Sequence, residues 1–330
     1  MNKIKNINAL FQSFTRMNVL IIGDVIVDSY LWGKVDRISP EAPVPIVTVK
    51  KREDRLGGAA NVALNVKAMG ANAVLCSMIG DDINGKLFLD LLRAQGMSKE
   101  GIVVTGHRST TVKTRVIGNQ YQMLRVDEET DGDTNAADRK KLLEHIVSII
   151  SNKKIDVIIF EDYDKGVIDK NLIEKTVALA EKKNIPVTAD PKKKNFNHYK
   201  NITLFKPNLK ELCEGLKADF EKDNVKEIIT AVKAFNKQQQ VAISLVTLSE
   251  KGILLCNAKD SQLIPAHVRN IADVSGAGDT VISVASLCLA AGMEPVALAT
   301  VANLAGGQVC EKVGVVSVDK EQLMEEAKNL

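Results

Sequence analysis

The sequence predicts an α/β fold in which helices cover both faces of a mainly parallel β-sheet. Short apolar runs rich in β-branched residues recur along the chain, and segments with helical periodicity follow several of them. Strands that alternate with amphipathic helices build parallel sheets that are buried on both faces. The predicted strands span residues 19–22, 73–78, 157–160, 187–189, 202–205 and 242–247. The predicted helices span residues 59–69, 85–95, 137–151, 170–183, 225–235 and 278–291.

Two stretches, residues 29–51 and 110–126, break this alternation. The first contains Trp32 and three prolines, and apolar residues alternate with polar ones in both. Such alternation favours exposed antiparallel strands over βαβ units. We interpret them as a small β lid over the mouth of the main sheet, with two ordinary surface hairpins as the alternative. The whole chain, residues 1–330, is then expected to be one domain.

Composition excludes several classes of function. The 330 residues are 45% hydrophobic, which is enough for a large core, and the formal net charge is only +3. A charge this close to zero gives no electrostatic argument for binding nucleic acid or a membrane surface. The most apolar stretch, residues 281–291, is shorter than the roughly 20 residues that a membrane-spanning helix needs.

Cysteine usage and the N-terminus indicate a cytoplasmic protein. The cysteines are odd in number and show no metal-ligand spacing, which predicts reduced thiols; they are Cys76, Cys213, Cys256, Cys288 and Cys310. The first residues contain no apolar stretch before a small-residue cleavage site, so we expect no signal peptide.

The strongest chemical signal is the string Asp-Val-Ser-Gly-Ala-Gly-Asp-Thr at residues 273–280, directly before a predicted helix. Its glycines allow a tight turn and leave the amides of Gly276, Ala277 and Gly278 uncovered at the positive end of the helix dipole. Such a helix start binds anions, and phosphoryl transfer requires charge stabilisation of this kind. Asp279, in the first turn, can accept the proton of an attacking hydroxyl. The alternative is an aspartate that only caps the helix.

A second signal is Lys-Pro-Asn-Leu-Lys-Glu at residues 206–211, after a predicted strand. Asn208 and Glu211 share one face of a first helical turn. Their oxygens suit Mg²⁺ near phosphates, with contact partly through water. The alternative is a capping box in which Asn208 caps the helix and Glu211 reaches back.

A third signal combines the first strand with the glycine pair that opens the next helix. Gly57 and Gly58 let the backbone approach a ligand, and Asn61 offers a donor and an acceptor to hydroxyl groups. Asp24 and Asp28 follow the first strand, where open α/β sheets bind ligands. Together they predict a sugar site, although each aspartate alone could equally be a turn residue.

Other motifs are missing. The chain contains no Gly-x-x-x-x-Gly-Lys-Ser/Thr loop and no dinucleotide glycine fingerprint after the first strand. The four histidines form no metal-ligand pattern.

Taken together, these strings resemble the ribokinase/PfkB family of carbohydrate kinases over essentially the whole chain. Within the family the sequence is most similar to the D-glycero-β-D-manno-heptose 7-phosphate kinases of ADP-heptose synthesis, on residues 23–28, 37–45, 57–61, 162–166, 190–192 and 207–211. The run at 37–45 is the most discriminating. The resemblance implies a ribokinase-like three-layer sandwich with a β lid that often forms a dimer contact.

The resemblance also implies a reaction and roles for individual residues. ATP would phosphorylate the anomeric hydroxyl of the heptose 7-phosphate, which gives the 1,7-bisphosphate of lipopolysaccharide core precursor synthesis. Asp279 would be the base, and the amides of residues 276–278 the anion hole. Asp28, Gly57, Gly58 and Asn61 would hold the sugar. The nucleotide and its Mg²⁺ would contact Asn208, Leu209, Lys210, Glu211, Thr247, Ser249, Gly252 and Asn303.

Further expectations concern ions and partners. A phosphorylated substrate needs a cationic pocket, for which Lys113, Arg115 and Arg125 are candidates, with a solvated lid face as the alternative. A monovalent cation is expected near Asp273 and Ser275, and homodimerisation through the lid. The nucleotidyltransferase of the pathway is expected on a separate protein.

Three other functions stay open at this point. Another sugar kinase of the family would use ribose, fructose, a fructose phosphate or a nucleoside. A catalytically inactive sugar-binding regulator is the rival from another class, although the intact glycine string and Asp279 argue against it. A dehydrogenase is the third rival, but this chain lacks the dinucleotide-binding glycine fingerprint that such an enzyme needs. The negative charges of Glu161 and Asp164, where relatives often carry less charge, bear on substrate preference.

Overall fold

The computed structural model describes residues 7–130, 132 and 134–329. Within these residues the strands, in chain order, are β1 (Asn18–Gly23), β2 (Val25–Ile38), β3 (Pro45–Gly58), β4 (Asn72–Gly80), β5 (Gly101–Thr105), β6 (Val112–Gly118), β7 (Tyr121–Glu128), β8 (Val157–Glu161), β9 (Val187–Asp190), β10 (Leu204–Phe205), β11 (Ile243–Thr247), β12 (Ile253–Asn257) and β13 (Ser261–Ile264). The expectation of no signal peptide and the outer limits of the predicted domain fall partly on residues 1–6 and 330, which lie outside this description.

The helices of the described residues are α1 (Ile7–Ser13), α2 (Ala59–Ala68), α3 (Ile83–Ala94), α4 (Ala136–Asn152), α5 (Lys170–Lys182), α6 (Leu209–Leu216), α7 (Val225–Gln239), α8 (Ala277–Ala290), α9 (Pro295–Val309) and α10 (Lys320–Lys328). None of them combines the length and the apolar character that crossing a membrane requires. The five cysteines are free thiols.

The main sheet of the described chain has the strand order β13-β12-β11-β10-β9-β8-β1-β4-β5. The strands from β11 to β5 in this order pair in parallel, whereas β12 and β13 add an antiparallel edge. Alternate residues of β1 enter two different cores: Val19 and Ile21 pack on one face, Leu20 and Ile22 on the other. This arrangement confirms the predicted mainly parallel, three-layer α/β fold.

The six predicted main-sheet strands are all present, with one reduced in length. The run at residues 202–205 forms only the two-residue strand Leu204–Phe205. The strands β5, β12 and β13 and the helices α1, α9 and α10 were not predicted from the sequence. The helix that follows the glycine string, α8, begins at Ala277, one residue before its predicted start.

The two stretches that break the alternation form strands of a second sheet, with the order β3-β2-β6-β7, which we call the lid sheet. It consists of two antiparallel hairpins joined by parallel pairing between β2 and β6. The first hairpin is longer than predicted: its strands extend to Val25 and Gly58, so that they run directly from β1 and into α2. The predicted segment covered only its outer part.

The polar residues of the candidate site lie at the carboxyl ends of the parallel strands. After β1 the chain first builds the β4–β5 side of the sheet and then returns to β8 on the other side of β1. The order therefore reverses between β1 and β8, which is where open α/β sheets bind ligands. Polar residues cluster at this edge: Asp24 follows β1, Glu161 ends β8, Asp190 ends β9 and Lys206 follows β10.

Candidate active site

The helix α8 begins in a conformation that only glycine adopts readily. Gly276 is its N-cap with φ 78° and ψ 1°, and no side chain caps the helix. Residues 275–278 are partly exposed, whereas Asp279 in the first turn is buried. The Ala277 amide makes only a long hydrogen bond of 3.3 Å to the Val274 carbonyl. The predicted anion-binding turn is thus accessible, with the carboxylate beneath it.

Asp279 accepts hydrogen bonds from two neighbours. Asn61 Nδ2 donates to one carboxylate oxygen at 2.7 Å, and the Tyr163 hydroxyl donates to the other at 2.8 Å. Burial raises the pKa of Asp279, and the two hydrogen bonds oppose this rise only in part. A carboxylate has about four lone-pair positions, so two donors leave room for a hydroxyl group. Asn61 was predicted as a sugar ligand, and its side chain here orients the Asp279 carboxylate.

Two lysine ammonium groups lie over the Tyr163 ring. The ammonium groups of Lys113 and Lys192 are 5.5 Å and 5.3 Å from the centre of its ring. Burial raises the pKa of the Tyr163 hydroxyl, and the negative charge of Asp279 adds to the effect. The phenol therefore stays protonated and remains a donor to Asp279. Lys113 was among the predicted cations, whereas Lys192 and Tyr163 were not assigned roles.

Three buried carboxylates meet beside this tyrosine, and we call them the acidic cluster: Glu161, Asp190 and Asp279. One oxygen from each lies within 4.8 Å of the others. Both oxygens of Glu161 and the Oδ1 atom of Asp190 are buried without a hydrogen-bond partner among the described residues. Burial raises the pKa of Glu161 far above its usual range, with Asp190 and Asp279 contributing. Such unpartnered oxygen atoms indicate room for a cation.

Lysines balance part of this negative charge. Lys206 is fully buried and its ammonium lies 2.7 Å from Asp190 Oδ2. Burial alone would lower the pKa of Lys206, but Asp190 and Glu211 more than reverse this and raise it. The Lys206 ammonium also lies 3.3 Å from the position that a Cβ on Gly278 would occupy. A fixed positive charge therefore stands directly beside the glycine turn.

Asn208 and Glu211 form the capping box that was the alternative to a magnesium site. The Asn208 side chain accepts from the Glu211 amide and the Glu211 carboxylate from the Asn208 amide, each at 2.8 Å. The other Glu211 oxygen pairs with Lys192. These side-chain oxygens thus already have partners within the protein. The role of Asn208 and Glu211 as metal ligands stays a prediction.

Leu209 and Lys210 lie within this capping box, at the start of α6. The Lys210 side chain is 83% exposed and lies 3.9 Å from Glu214, and Leu209 packs against the core. Their contact with ATP stays a prediction. The lysines whose charges act on Glu161 in the acidic cluster are Lys192 and Lys206.

Asp24 anchors the segment that follows β8. Its fully buried carboxylate accepts hydrogen bonds from the backbone amides of Tyr163 at 2.9 Å, Lys165 at 3.2 Å and Val167 at 3.0 Å. Asp24 thereby positions Tyr163, and its contact with the sugar stays a prediction.

Asp28 and the glycine pair occupy the hinge between the lid sheet and α2. Arg115 Nη1 lies 2.5 Å from Asp28 Oδ1, and the guanidinium also covers the Tyr30 ring. A Cβ on Gly57 would come within 2.0 Å of Asp28 Oδ2, so a larger residue there would have to displace the Asp28 carboxylate. Gly58 is the N-cap of α2 with φ 59°. These residues lie near one another, and their contact with a sugar stays a prediction.

The remaining predicted cation and ion sites fit less well. Arg125 is half exposed on β7 and pairs with Asp127 at 2.9 Å. Its contact with a substrate phosphate stays a prediction. Asp273 accepts hydrogen bonds at both oxygens, from Ser275 and from the Gly314 amide. The monovalent-cation site there stays a prediction without an unpartnered carboxylate to support it.

The predicted nucleotide residues lie at the end of β11 and beside it. Thr247 is the last residue of β11 and pairs with Asn208 as an isolated bridge. Ser249 and Gly252, both with positive φ, form the turn into β12. The Asn303 side chain on α9 donates to the Pro265 carbonyl at 2.8 Å. The contact of these residues with ATP stays a prediction.

Comparison with known proteins agrees with this architecture. The pfkB family carbohydrate kinase model matches residues 16–322. The chain is 39% identical over 305 residues to the bifunctional protein HldE of Helicobacter pylori (strain HPAG1), covering 92% of this chain and 65% of that protein. It is 37% identical to bifunctional protein HldE of Magnetococcus marinus, covering 96% and 65%. The chain therefore spans about 65% of the length of these curated relatives.

Solved structures share the fold at low sequence identity. Phosphofructokinase-2 from Escherichia coli in complex with potassium superposes with a TM-score of 0.78 at 17% identity, over 95% of this chain and 98% of that chain. Arabidopsis thaliana ribokinase complexed with ribose and ATP gives 0.70 at 16% identity, over 95% and 99%. With the family model matched over nearly the entire chain, this protein belongs to the pfkB family of carbohydrate kinases and is a phosphotransferase.

Proposed function

We propose that the protein transfers the γ-phosphoryl group of ATP to the anomeric hydroxyl of D-glycero-β-D-manno-heptose 7-phosphate, yielding ADP and the 1,7-bisphosphate, as a step of ADP-heptose synthesis. The observation that carries the kinase chemistry is the buried Asp279 carboxylate beneath the open, glycine-lined start of α8. The heptose assignment is supported by the resemblance of residues 37–45 and of the other strings named above.

Asp279 is the base in this proposal. As the anomeric oxygen forms its bond to the γ-phosphorus and the bond to the ADP oxygen breaks, the hydroxyl proton passes to an Asp279 oxygen. A pKa raised by burial makes the carboxylate a better proton acceptor than an exposed aspartate. Asn61 and Tyr163 keep it oriented through their hydrogen bonds.

The start of α8 stabilises the charge of the transferred group. The helix dipole and the amides of Gly276, Ala277 and Gly278 present partial positive charge where the γ-phosphoryl oxygens would lie. Lys206 adds a full charge beside Gly278. Arrangements of this kind typically contribute several kcal/mol to a phosphoryl transfer.

The acidic cluster fits a divalent cation. Unpartnered, buried carboxylate oxygens on Glu161 and Asp190 are hard ligands of the type that Mg²⁺ prefers. Bound there, Mg²⁺ would neutralise charge on the nucleotide phosphates. Glu211 and Asn208 lie on the Lys192 side of this cluster and would reach the ion through water.

The experiment is product identification. Purified protein is incubated with ATP, Mg²⁺ and heptose 7-phosphate, and mass spectrometry with ³¹P NMR locates the new phosphate. We expect a bisphosphate with an anomeric phosphate signal. A parallel panel contains ribose, fructose, fructose 6-phosphate and a nucleoside. Preference for one of these panel members would refute the heptose assignment, and turnover of none would refute the kinase assignment itself.

A further inference from the structure

Lys192 is a charged residue to which neither the sequence nor the proposed reaction gives a role. It lies two residues after the end of β9, and its ammonium group pairs with the Glu211 carboxylate in the capping box of α6. The same ammonium lies 5.3 Å from the centre of the Tyr163 ring, whose hydroxyl donates to Asp279 at 2.8 Å. One cation therefore contacts both the residue that orients Asp279 and the carboxylate of the capping box.

Lys192 is also a counter-ion of the acidic cluster. Burial alone would lower its pKa, but the negative charges of Asp190, Glu211 and Glu161 more than reverse this effect and raise it. The side chain therefore carries its charge at neutral pH. Both oxygens of Glu161 remain without a hydrogen-bond partner among the described residues, so direct contacts do not fully compensate the negative charge of this region.

The two lysines whose charges act on this cluster differ in their freedom to move. Lys206 is held by Asp190 at 2.7 Å, and only 3% of its side chain is exposed. The Lys192 side chain is 29% exposed, and the next residue, Lys193, is exposed as well. A lysine carries its charge on a flexible four-carbon stem with three rotatable donors, so it can change partners without a movement of the backbone. Of the two lysines, Lys192 is thus the one that is able to turn toward an incoming group.

The path of the transferred phosphoryl group passes within reach of this lysine. For Asp279 to take its proton, the acceptor hydroxyl has to lie at hydrogen-bond distance, about 2.6–3.2 Å, from the carboxylate. Attack then brings the phosphorus to about 3–3.5 Å from the acceptor oxygen. Tyr163 donates to the same carboxylate, and the Lys192 ammonium stands over its ring. Both the reacting phosphorus and this ammonium group would therefore lie next to one tyrosine side chain.

We propose that Lys192 is a catalytic residue whose ammonium group leaves Glu211 and donates hydrogen bonds to the phosphoryl oxygens during transfer. This inference rests on the proposed kinase function and adds a residue to its mechanism. The bond between the acceptor oxygen and the γ-phosphorus forms as the bond to the ADP oxygen breaks, and the hydroxyl proton passes to Asp279. Lys192 keeps its own protons throughout and stabilises the negative charge on the group in transfer. Its departure also uncovers a Glu211 oxygen near the proposed cation site.

The first measurement separates kcat from KM. Lys192→Met keeps the apolar stem of the side chain but removes its charge, and Lys193→Met removes a neighbouring exposed lysine as the matched control. With saturating ATP and heptose 7-phosphate as the acceptor, we expect kcat of Lys192→Met to fall roughly 10²- to 10³-fold, the usual effect of removing one donor from a developing negative charge. The KM for the sugar should change little, and Lys193→Met should behave as wild type.

The second measurement does not depend on turnover. Lys192 repels a divalent cation near Glu211 and the acidic cluster, so Lys192→Met should bind Mn²⁺ without nucleotide at least roughly threefold more tightly than wild type. Electron paramagnetic resonance measures this affinity, and thermal unfolding shows whether the variant is folded. Removing a lysine that only supports the structure would instead weaken Mn²⁺ binding. If Lys192→Met does not fold, Lys192→Gln retains a donor for Glu211 and should show the same two changes.

The outcomes distinguish this inference from the proposed function. A wild-type protein that phosphorylates none of the sugars defeats the kinase assignment before any variant is compared. If wild type prefers another sugar, kcat is measured with that sugar, and the role of Lys192 is judged independently of the heptose assignment. In an active wild type, an unchanged kcat of folded Lys192→Met overturns the inference, and so does a loss of kcat without tighter Mn²⁺ binding.

Discussion

At the scale of single residues, the proposed base, Asp279, is defined by its surroundings as much as by its identity. Asp279 is an ordinary aspartate by sequence, but burial and two donors give it a fixed orientation and a raised pKa. The same surroundings contain a second unusual carboxylate, Glu161, without any hydrogen-bond partner in the described chain. Three residue-scale predictions follow from these contacts.

Replacing the base should remove catalysis but not binding. In Asp279→Asn the carboxamide keeps the shape and an oxygen for the Asn61 or Tyr163 donors but cannot accept the hydroxyl proton. We expect kcat to fall roughly 10²- to 10⁴-fold, the usual contribution of general-base catalysis. ATP affinity, measured by calorimetry, should change little. Unchanged turnover would show that another group takes the proton.

Removing the Tyr163 hydroxyl should shift the pH profile in a defined direction. Its hydrogen bond favours the ionised form of Asp279 and lowers the pKa of that carboxyl against the effect of burial. A base is active only when deprotonated, so activity is lost as pH falls through its pKa. In Tyr163→Phe the acidic limb of kcat/KM should therefore move to higher pH. Tyr121→Phe, on the exposed strand β7, serves as the control, and a limb that stays in place would contradict the role of Tyr163.

Glu161 should matter for metal binding. Glu161→Gln retains the size of the side chain but removes the charge, so the acidic cluster should bind a divalent cation at least roughly tenfold more weakly. Binding of Mn²⁺ without ATP, followed by electron paramagnetic resonance, measures this directly. The exposed Glu174→Gln on α5 provides the matched control. Equal Mn²⁺ affinity in both variants would show that the cation does not bind to Glu161.

At the scale of elements, the start of α8 depends on a backbone that other residues resist. Gly276 has φ 78°, and a Cβ there would lie 2.9 Å from Asn61 Nδ2, the atom that holds Asp279. Three elements thus meet at one glycine: the turn, α2 and α8. A substitution at this position affects both the backbone and the orientation of the base.

Gly276→Ala should therefore lose stability and activity together. The left-handed conformation costs about 1–2 kcal/mol for a residue with a Cβ, and displacement of Asn61 should reduce kcat at least roughly tenfold. Gly292→Ala is the matched control, since it has φ 75° with nothing within 4 Å of the added Cβ. Urea unfolding should show a similar loss in both variants, but only Gly276→Ala should lose activity. Full activity of Gly276→Ala would argue against the anion-binding role of the turn.

At the scale of the whole molecule, the lid sheet leaves apolar surface uncovered. All eight residues of the edge strand β7 are exposed, among them Tyr121, Leu124 and Val126, and Ile38 and Val44 add to this surface on the first hairpin. Exposed apolar edge strands are sites of association in soluble proteins. This surface supports the predicted homodimer through the lid.

A charge on this edge should weaken the dimer. For Leu124→Arg we expect a shift from dimer to monomer at micromolar concentration in sedimentation velocity, because the arginine would have to be desolvated at the interface. Val147→Arg places the same charge on an exposed position of α4 and should leave the oligomeric state unchanged. A wild-type protein that is monomeric at all concentrations would exclude the lid dimer.

Much of the fold followed from local patterns alone. The periodicity of the apolar residues determined the six inner strands, because a strand buried on both faces must be apolar throughout. The glycine string likewise determined the start of α8, since few other sequences can turn and leave amides free. The antiparallel edge β12–β13 was not predicted from the sequence.

The roles of individual polar residues were decided only by the tertiary structure. By sequence, Asp24 and Asp28 look alike; folding makes one the anchor of the Tyr163 loop and pairs the other with Arg115. The acidic cluster joins residues 161, 190 and 279, and Arg108 meets Lys165 across a distance of 57 positions. Hydrogen-bond partners of this kind depend on how strands and loops are placed in space, and no local pattern records them. The sequence by itself thus determined the chemistry available, and the packing of the chain decided which atoms meet.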